Sequence, residues 1–225
     1  EVNNILHRSY KVSNLKQRMI WTACILVAKR FDCCFTSADT ISIIKQKIKE
    51  TLNSVFDKDI KKNAKLNDLI QSLDSIKIEE LEEDKDDCKL KMLNAIDDIA
   101  KNINSNNWNG EDVMSIFFNE FTRYAGKSDN GQVFTPDHIT SLMYYLADIH
   151  YQDKVLDACC GSGSFLTKAM CNMIREVGGP QMEEAKKIKQ ERIFGIENDP
   201  DIFCLAIANM LIHKDGKSNI VQKDA

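Results

Sequence analysis

No proline precedes position 136 in this sequence, and no glycine precedes position 110. These residues are the strongest interrupters of helices, so little breaks the first half of the chain. There is no run of the roughly 18 apolar residues that a membrane-spanning helix needs, and no membrane partner is expected. The opening stretch, "EVNNILHRSY", lacks the basic-then-apolar order of a signal peptide; it also lacks a methionine, which points to something removed upstream. Neither C-x-x-C nor H-E-x-x-H occurs, and no metal is expected. The eight cysteines include two adjacent pairs, a spacing that suits buried thiols of a reducing cytoplasm better than bridges. A basic surplus is missing too: the net charge is -4. That excludes a protein gripping phosphates by overall charge. A nucleic-acid partner would need a local patch, a further segment or a second subunit.

What is present comes in two styles. Leu15, Met19, Ala23, Val27 and Phe31 fall four apart, lining one helix face. Ile41, Ile44, Ile48, Leu52 and Val55 form a second stripe, and Leu66, Leu69, Leu73 and Ile76 a third. Leu90, Leu93, Ile96, Ile99 and Ile103 form a fourth. The acidic run "EELEEDKDDCK" reads as a solvated face or loop. Lys45, Lys47 and Lys49, with Lys61, Lys62 and Lys65, could touch phosphates or simply face solvent. The expectation is a helical domain over 1–107, ending in the polar break "NINSNNWNG".

The second style covers 108–225. An aromatic helix is expected in "EDVMSIFFNEFTRYAG", with Val113, Ile116, Phe117, Phe121 and Tyr124 on one side. A loop follows, with Thr135 as N-cap and Pro136 at the first position of a helix striped by Ile139, Leu142, Met143, Leu146 and Ile149. Then "KVLDA", "RIFGIEND" and "SNIVQKDA" read as strands, each reaching an acid and separated by helical patterns. Asp199 caps the last of these helices and Pro200 opens it. Alternating strand and helix predicts an α/β fold with a parallel, doubly wound sheet. Only three strands are present, so the sheet reads as cut short.

The corner "VLDACCGSGSFLTKAM" carries the chemistry. A P-loop needs G-x-x-x-x-G-K-[S/T], whereas Gly161 and Gly163 stand one residue apart with no Lys-Ser/Thr pair following. A nicotinamide fingerprint needs a third glycine where Leu166 stands, and Asp157 would sit beside its pyrophosphate. S-adenosylmethionine suits the corner better. It has no phosphate, its ammonium group suits Asp157, and its ribose hydroxyls suit Glu197 at the second strand's end. Its adenine amine suits Asp224, after the third. Glycines let backbone approach a ligand without a Cβ between. Each residue also has an ordinary use: the acids as caps or turn formers, Gly163 as a packing glycine, Thr135 as a cap.

"NGQVFTP", "DACCGSGSFL" and "FGIENDPDIFCLAIANMLIH" together resemble the N6-adenine DNA methyltransferases of type I restriction-modification systems. The resemblance is specific over roughly 110–225 and loose over the helical part, which matches that family's N-terminal bundle in placement and length. It implies a Rossmann-like sheet of the class I S-adenosylmethionine-dependent kind. It also implies cofactor contacts at Gln132, Val133, Phe134, Thr135, Pro136 and Asp137, at Asp157, Gly161, Ser162, Gly163 and Ser164, at Glu197, and at Asp224. Double-stranded DNA and a specificity subunit, with or without a restriction subunit, are the implied partners. The paired Cys159 and Cys160 depart from the more usual proline or alanine.

The larger departure is a missing piece. The family acts through an Asn/Asp-Pro-Pro-aromatic tetrapeptide, whose acceptors localise the adenine amine's lone pair while the aromatic stacks on the flipped base. Here Pro136, Pro180 and Pro200 are nowhere adjacent. No catalytic residue is therefore expected in this chain, which reads as an inactive N-terminal portion holding the cofactor half. Two other readings share some of these features. One is a methyltransferase for protein or small molecules; the other is a non-catalytic interaction module.

Overall fold

The computed structural model describes residues 1–55, 60–78, 85–104, 114, 116–117, 121, 135–215 and 219–225. The chain divides into two compact units, Glu1–Trp108 and Asn109–Ala225.

The first unit is helical. A short α1 (Val2–Asn4) runs directly into a π-helical turn (Ile5–Ser9). This start has no stripe long enough to read from sequence, yet it buries Val2, Ile5, Leu6 and Tyr10. α2 (Leu15–Arg30) begins where the Asn14 side chain accepts the Gln17 amide at 3.2 Å, satisfying one of the donors that a helix start leaves over. It is buried from Arg18 through Ala28, the signature of a central helix apolar all round. Arg18 is tolerated inside because its guanidinium donates to the Val12 and Ser13 carbonyls and to the Asn3 side chain, at 2.6–2.7 Å. α3 (Ile41–Val55), α4 (Ile60–Ser75) and α5 (Lys85–Asn104) pack around it.

The stripes of α3 and α4 are buried at Ile41, Ile44, Ile48, Leu52, Leu66, Leu69, Leu73 and Ile76, while the side chain of Val55 lies outside the described residues. In α5 the packed face lies beside the expected one: Met92, Leu93, Ile96, Ala100 and Ile103 are buried while Leu90 is 43% exposed. The lysines of α3 point to ordinary structural uses. Lys47 pairs with Asp39 at 2.7 Å, Lys49 with Asp74 at 2.5 Å, and Lys45 donates to the Ile76 carbonyl. The side chains of Lys61 and Lys62 lie outside the described residues.

The second unit holds the sheet. Of the expected aromatic helix, Val113 and Tyr124 lie outside the described residues; Met114 and Phe121 are buried, and Ile116 is exposed. α6 (Asp137–Leu146) starts one residue later than read. Pro136 is its N-cap, with ψ 145° outside the helical range, and its carbonyl accepts from Ile139 and Thr140. Thr135 makes no cap, and Ile149 lies beyond the helix end. The stripe of α6 is corrected more sharply. Thr140 and Tyr144 are buried, whereas Leu142, Met143 and Leu146 are exposed. Periodicity marks an apolar face; neighbouring elements decide which face is covered.

β1 (Val155–Asp157), β2 (Ile193–Glu197) and β3 (Asn219–Gln222) pair in parallel in the order β1-β2-β3. Between β1 and β2 come α7 (Ser164–Glu176) and an unforeseen α8 (Glu183–Glu191); α9 (Pro200–Ile212) links β2 to β3. α8 hides in the sequence because Ala185 and Ile188 are its only buried residues among glutamates and lysines. The third strand stops pairing at Gln222, opposite Glu197, so it does not end in an acid. The fold is thus α/β, mostly helical with a small parallel sheet.

Candidate functional site

β1 ends on Asp157, whose Oδ1 accepts the Cys159 amide at 3.1 Å and turns the chain. The Cys160 amide then donates to the Ile196 carbonyl, and the Gly163 amide to the Cys160 carbonyl. Gly161 and Gly163 sit at φ +56° and +79°, a left-handed backbone that side chains other than glycine enter at a cost. A Cβ at Gly161 would meet nothing within 4 Å. Conformation, not crowding inside the protein, calls for glycine there. Gly163 caps α7, and the hydroxyls of the flanking Ser162 and Ser164 meet at 3.0 Å.

Glu197 closes the corner from β2. One carboxylate oxygen accepts the Gly161 amide at 3.0 Å, and the other accepts the Asp199 amide at 2.8 Å. Asp199 in turn caps α9, accepting from Asp201 and Ile202, with Pro200 at the first position where its missing N–H costs nothing.

These pieces rim one hollow of about 220 Å³ at the carboxyl ends of β1 and β2. Asp157, Glu197, Gly161, Ser162, Ser164 and Thr135 line it, joined by Cys159, Cys160, Phe165 and Ile202. Open parallel sheets bind ligands at such strand ends. Burial, opposed by the Cys159 amide and reinforced by the charge of Glu197, raises the Asp157 carboxyl above its ordinary range. The Cys160 thiol is pushed up to about 12, by burial first and then by Asp157 and Glu197. The hollow is therefore electronegative and partly desolvated, a setting that favours a cationic group.

Not every expected residue gathers there. Gly163 shapes the turn without lining the hollow, and Pro136 is likewise outside it. Asp137 pairs with Lys168 at 2.7 Å. Asp224, exposed and two residues past β3, is not among the lining residues. Gln132, Val133 and Phe134 lie outside the described residues. Phe165 and Ile202 escaped sequence reading because an apolar residue in a helix's first turn looks like core. Gly195 gave a usable signal, a glycine inside a strand pattern, which often marks close approach. A Cβ there would stand 2.7 Å from Leu166 Cδ1, 3.1 Å from Cys160 Sγ and 3.2 Å from Ile220 Cγ1.

Comparison with known proteins adds an independent line. Residues 109–225 match the family model described as N-6 DNA Methylase. Over 113 residues the chain is 42% identical to the type II restriction enzyme and methyltransferase RM.BcgI of Heyndrickxia coagulans. That match covers 49% of this chain and 17% of that protein. It is 28% identical over 100 residues to the type I restriction enzyme MjaIX methylase subunit of Methanocaldococcus jannaschii, covering 44% of this chain and 16% of that subunit. A solved structure from work on complex assembly and conformational transition of the type I R-M system superposes with a TM-score of 0.62 at 15% identity. It covers 98% of this chain and 48% of that one. The matched part is thus about a sixth of each curated relative.

Proposed function

The chain belongs to the N-6 DNA Methylase family, and from that premise we propose that it is the cofactor-holding portion of an adenine-N6 DNA methyltransferase, the modification subunit of a restriction-modification system. On this reading 1–107 is a helical domain for assembly and for embracing DNA. Residues 108–225 begin a Rossmann-like, S-adenosylmethionine-dependent catalytic domain. Double-stranded DNA and a specificity subunit, with or without a restriction subunit, are its partners.

One observation carries the proposal: Asp157 and Glu197 share a single hollow with the left-handed glycine turn. The donor set suits S-adenosylmethionine chemically. Each Glu197 oxygen already accepts one backbone N–H and retains a second lone pair for a ribose hydroxyl. Asp157, whose charge is disfavoured by burial, gains from an ammonium partner. Phe165 and Ile202 offer apolar surface for a purine, and the open space at Gly161 admits a close backbone approach. When bound, the group supplies a methyl on a sulfonium. The chain's own residues bind and orient; the acceptors that would activate an adenine amine are expected in later residues of a longer polypeptide.

The sheet supports that fragment reading. Val155, Ile193, Gly195 and Ile220 are buried beneath helices, while Leu156 and Val221 on the opposite face are 65% and 41% exposed. Purely parallel sheets are normally covered on both faces. A right-handed crossover from β3 to a further strand beside β1 lays its helix on that bare face.

The test is methyl transfer from labelled S-adenosylmethionine to duplex DNA. The complete polypeptide with its partners should give N6-methyladenine, and the 225-residue chain alone should give none. Robust conversion by the chain alone would refute the division of labour.

A further inference from the structure

The helix α9, "PDIFCLAIANMLI", is buried along almost its whole length, with Asn209 0% exposed. A carboxamide in so apolar a helix is costly unless it is hydrogen-bonded. Asn209 Nδ2 donates to the Ser162 carbonyl at 3.0 Å, across 47 residues of sequence. That carbonyl belongs to the peptide joining Ser162 to Gly163. The amide of the same peptide donates to the Cys160 carbonyl at 2.8 Å. Both polar ends of one peptide plane are thereby held, and the plane cannot rotate without losing a bond.

α9 touches the turn at a second point. Ala206, one turn before Asn209, lies beneath Gly163, where an added Cβ would stand 3.8 Å from Ala206 Cβ. The helix thus templates the glycine turn, by contact at Gly163 and by a hydrogen bond at Ser162. On either side of the held peptide, Gly161, Ser162 and Ser164 line the hollow; Asn209 does not.

We propose that Asn209 is a positioning residue for the cofactor hollow, acting through the Ser162 carbonyl to fix the backbone of the glycine turn; this rests on the S-adenosylmethionine reading above. A leucine would fill nearly the same volume and suit the helix better. What the carboxamide adds is a donor for that carbonyl, and losing it leaves a buried acceptor unsatisfied.

Asn209→Leu in the complete polypeptide tests this, with Leu211→Ala, a buried position on the same helix, as the comparison. S-Adenosylmethionine affinity is read by calorimetry well below both melting points, and the Gly163 amide is read by hydrogen exchange. Asn209→Leu should weaken binding about tenfold or more and speed exchange at Gly163. Leu211→Ala should lower the melting temperature yet keep affinity within about twofold, because its cavity is local. If Asn209→Leu fails to fold, Asn209→Ser, whose hydroxyl falls short of the carbonyl, is read the same way. Unchanged affinity and unchanged Gly163 protection would overturn the proposal, as would an equal affinity loss in Leu211→Ala. A wild-type polypeptide that binds no S-adenosylmethionine sinks the cofactor reading itself. Gly163 exchange in the variant then still decides whether Asn209 anchors the turn.

Discussion

Glu197 at the tip of β2 accepts the amide hydrogen of Gly161, 36 residues earlier, at 3.0 Å. Its other oxygen holds the Asp199 amide that leads into α9. One carboxylate therefore fastens three things: the end of a strand, the glycine turn and the start of the next helix. The same side chain lines the hollow. On the proposed function, structure and binding are coupled at this side chain, so its replacement has to be judged by more than one readout.

Asp157 separates stability from binding. Burial raises its carboxyl in the folded chain, whereas the unfolded value is about 3.9. Between the two values the folded state holds more protons than the unfolded one, so stability falls as pH rises through that window and stays lower above it. Asp157→Asn keeps an oxygen for the Cys159 amide and removes the buried charge. It should melt on the order of 1–3 °C higher than wild type at neutral pH, with the gain shrinking as pH falls through that window and largely gone by about pH 4. Its affinity for S-adenosylmethionine should fall. Thermal melts across pH check this; a variant less stable than wild type at pH 7 contradicts the burial argument.

Gly195 is required by crowding. An added Cβ stands 2.7 Å from Leu166 Cδ1 with Cys160 Sγ and Ile220 close behind, and Leu166 is fully buried. Gly195→Ala should cost about 1–3 kcal/mol in denaturant unfolding, the range for overpacked cores. It should also weaken cofactor binding, because Cys160 lies between the strand and the hollow. Wild-type stability in this variant would mean that the helix–sheet spacing is looser than described.

The adjacent thiols should behave differently. Cys159 is exposed, whereas the buried Cys160 thiol is pushed up to about 12. The thiolate is the reactive form, so iodoacetamide at pH 8 should label Cys159 and spare Cys160 until the chain is denatured. Peptide mass spectrometry reads the order. Equal labelling in the native state would contradict the packing of Cys160 against β2.

The glycine corner was legible because its signals are local. A strand, an acid and two nearby glycines set one another's conformation within a few residues, and Asp199–Pro200 marks a helix start by the same short-range logic. What escaped depends on distant partners. The apolar stripe of α6 predicts a packed face, yet Thr140 and Tyr144 are the buried residues, because burial is decided by what lies alongside. Asp224 fell outside the lining because β3 stops pairing at Gln222, a limit set by its neighbour strand. Asn209 lies within the motif that carries the family resemblance, but its role is not legible there, since its partner lies 47 residues away. α8 is not legible in the sequence because two apolar residues make too thin a stripe.

The most direct measurement is calorimetric titration of S-adenosylmethionine into the complete polypeptide and its Glu197→Ala variant, each titrated well below its own melting temperature, which is measured alongside. The account predicts saturable one-to-one binding for the wild type. For the variant it predicts an affinity at least about tenfold weaker, from the loss of charge-assisted hydrogen bonds. Equal affinity in both proteins, or no binding by the wild type, would contradict it.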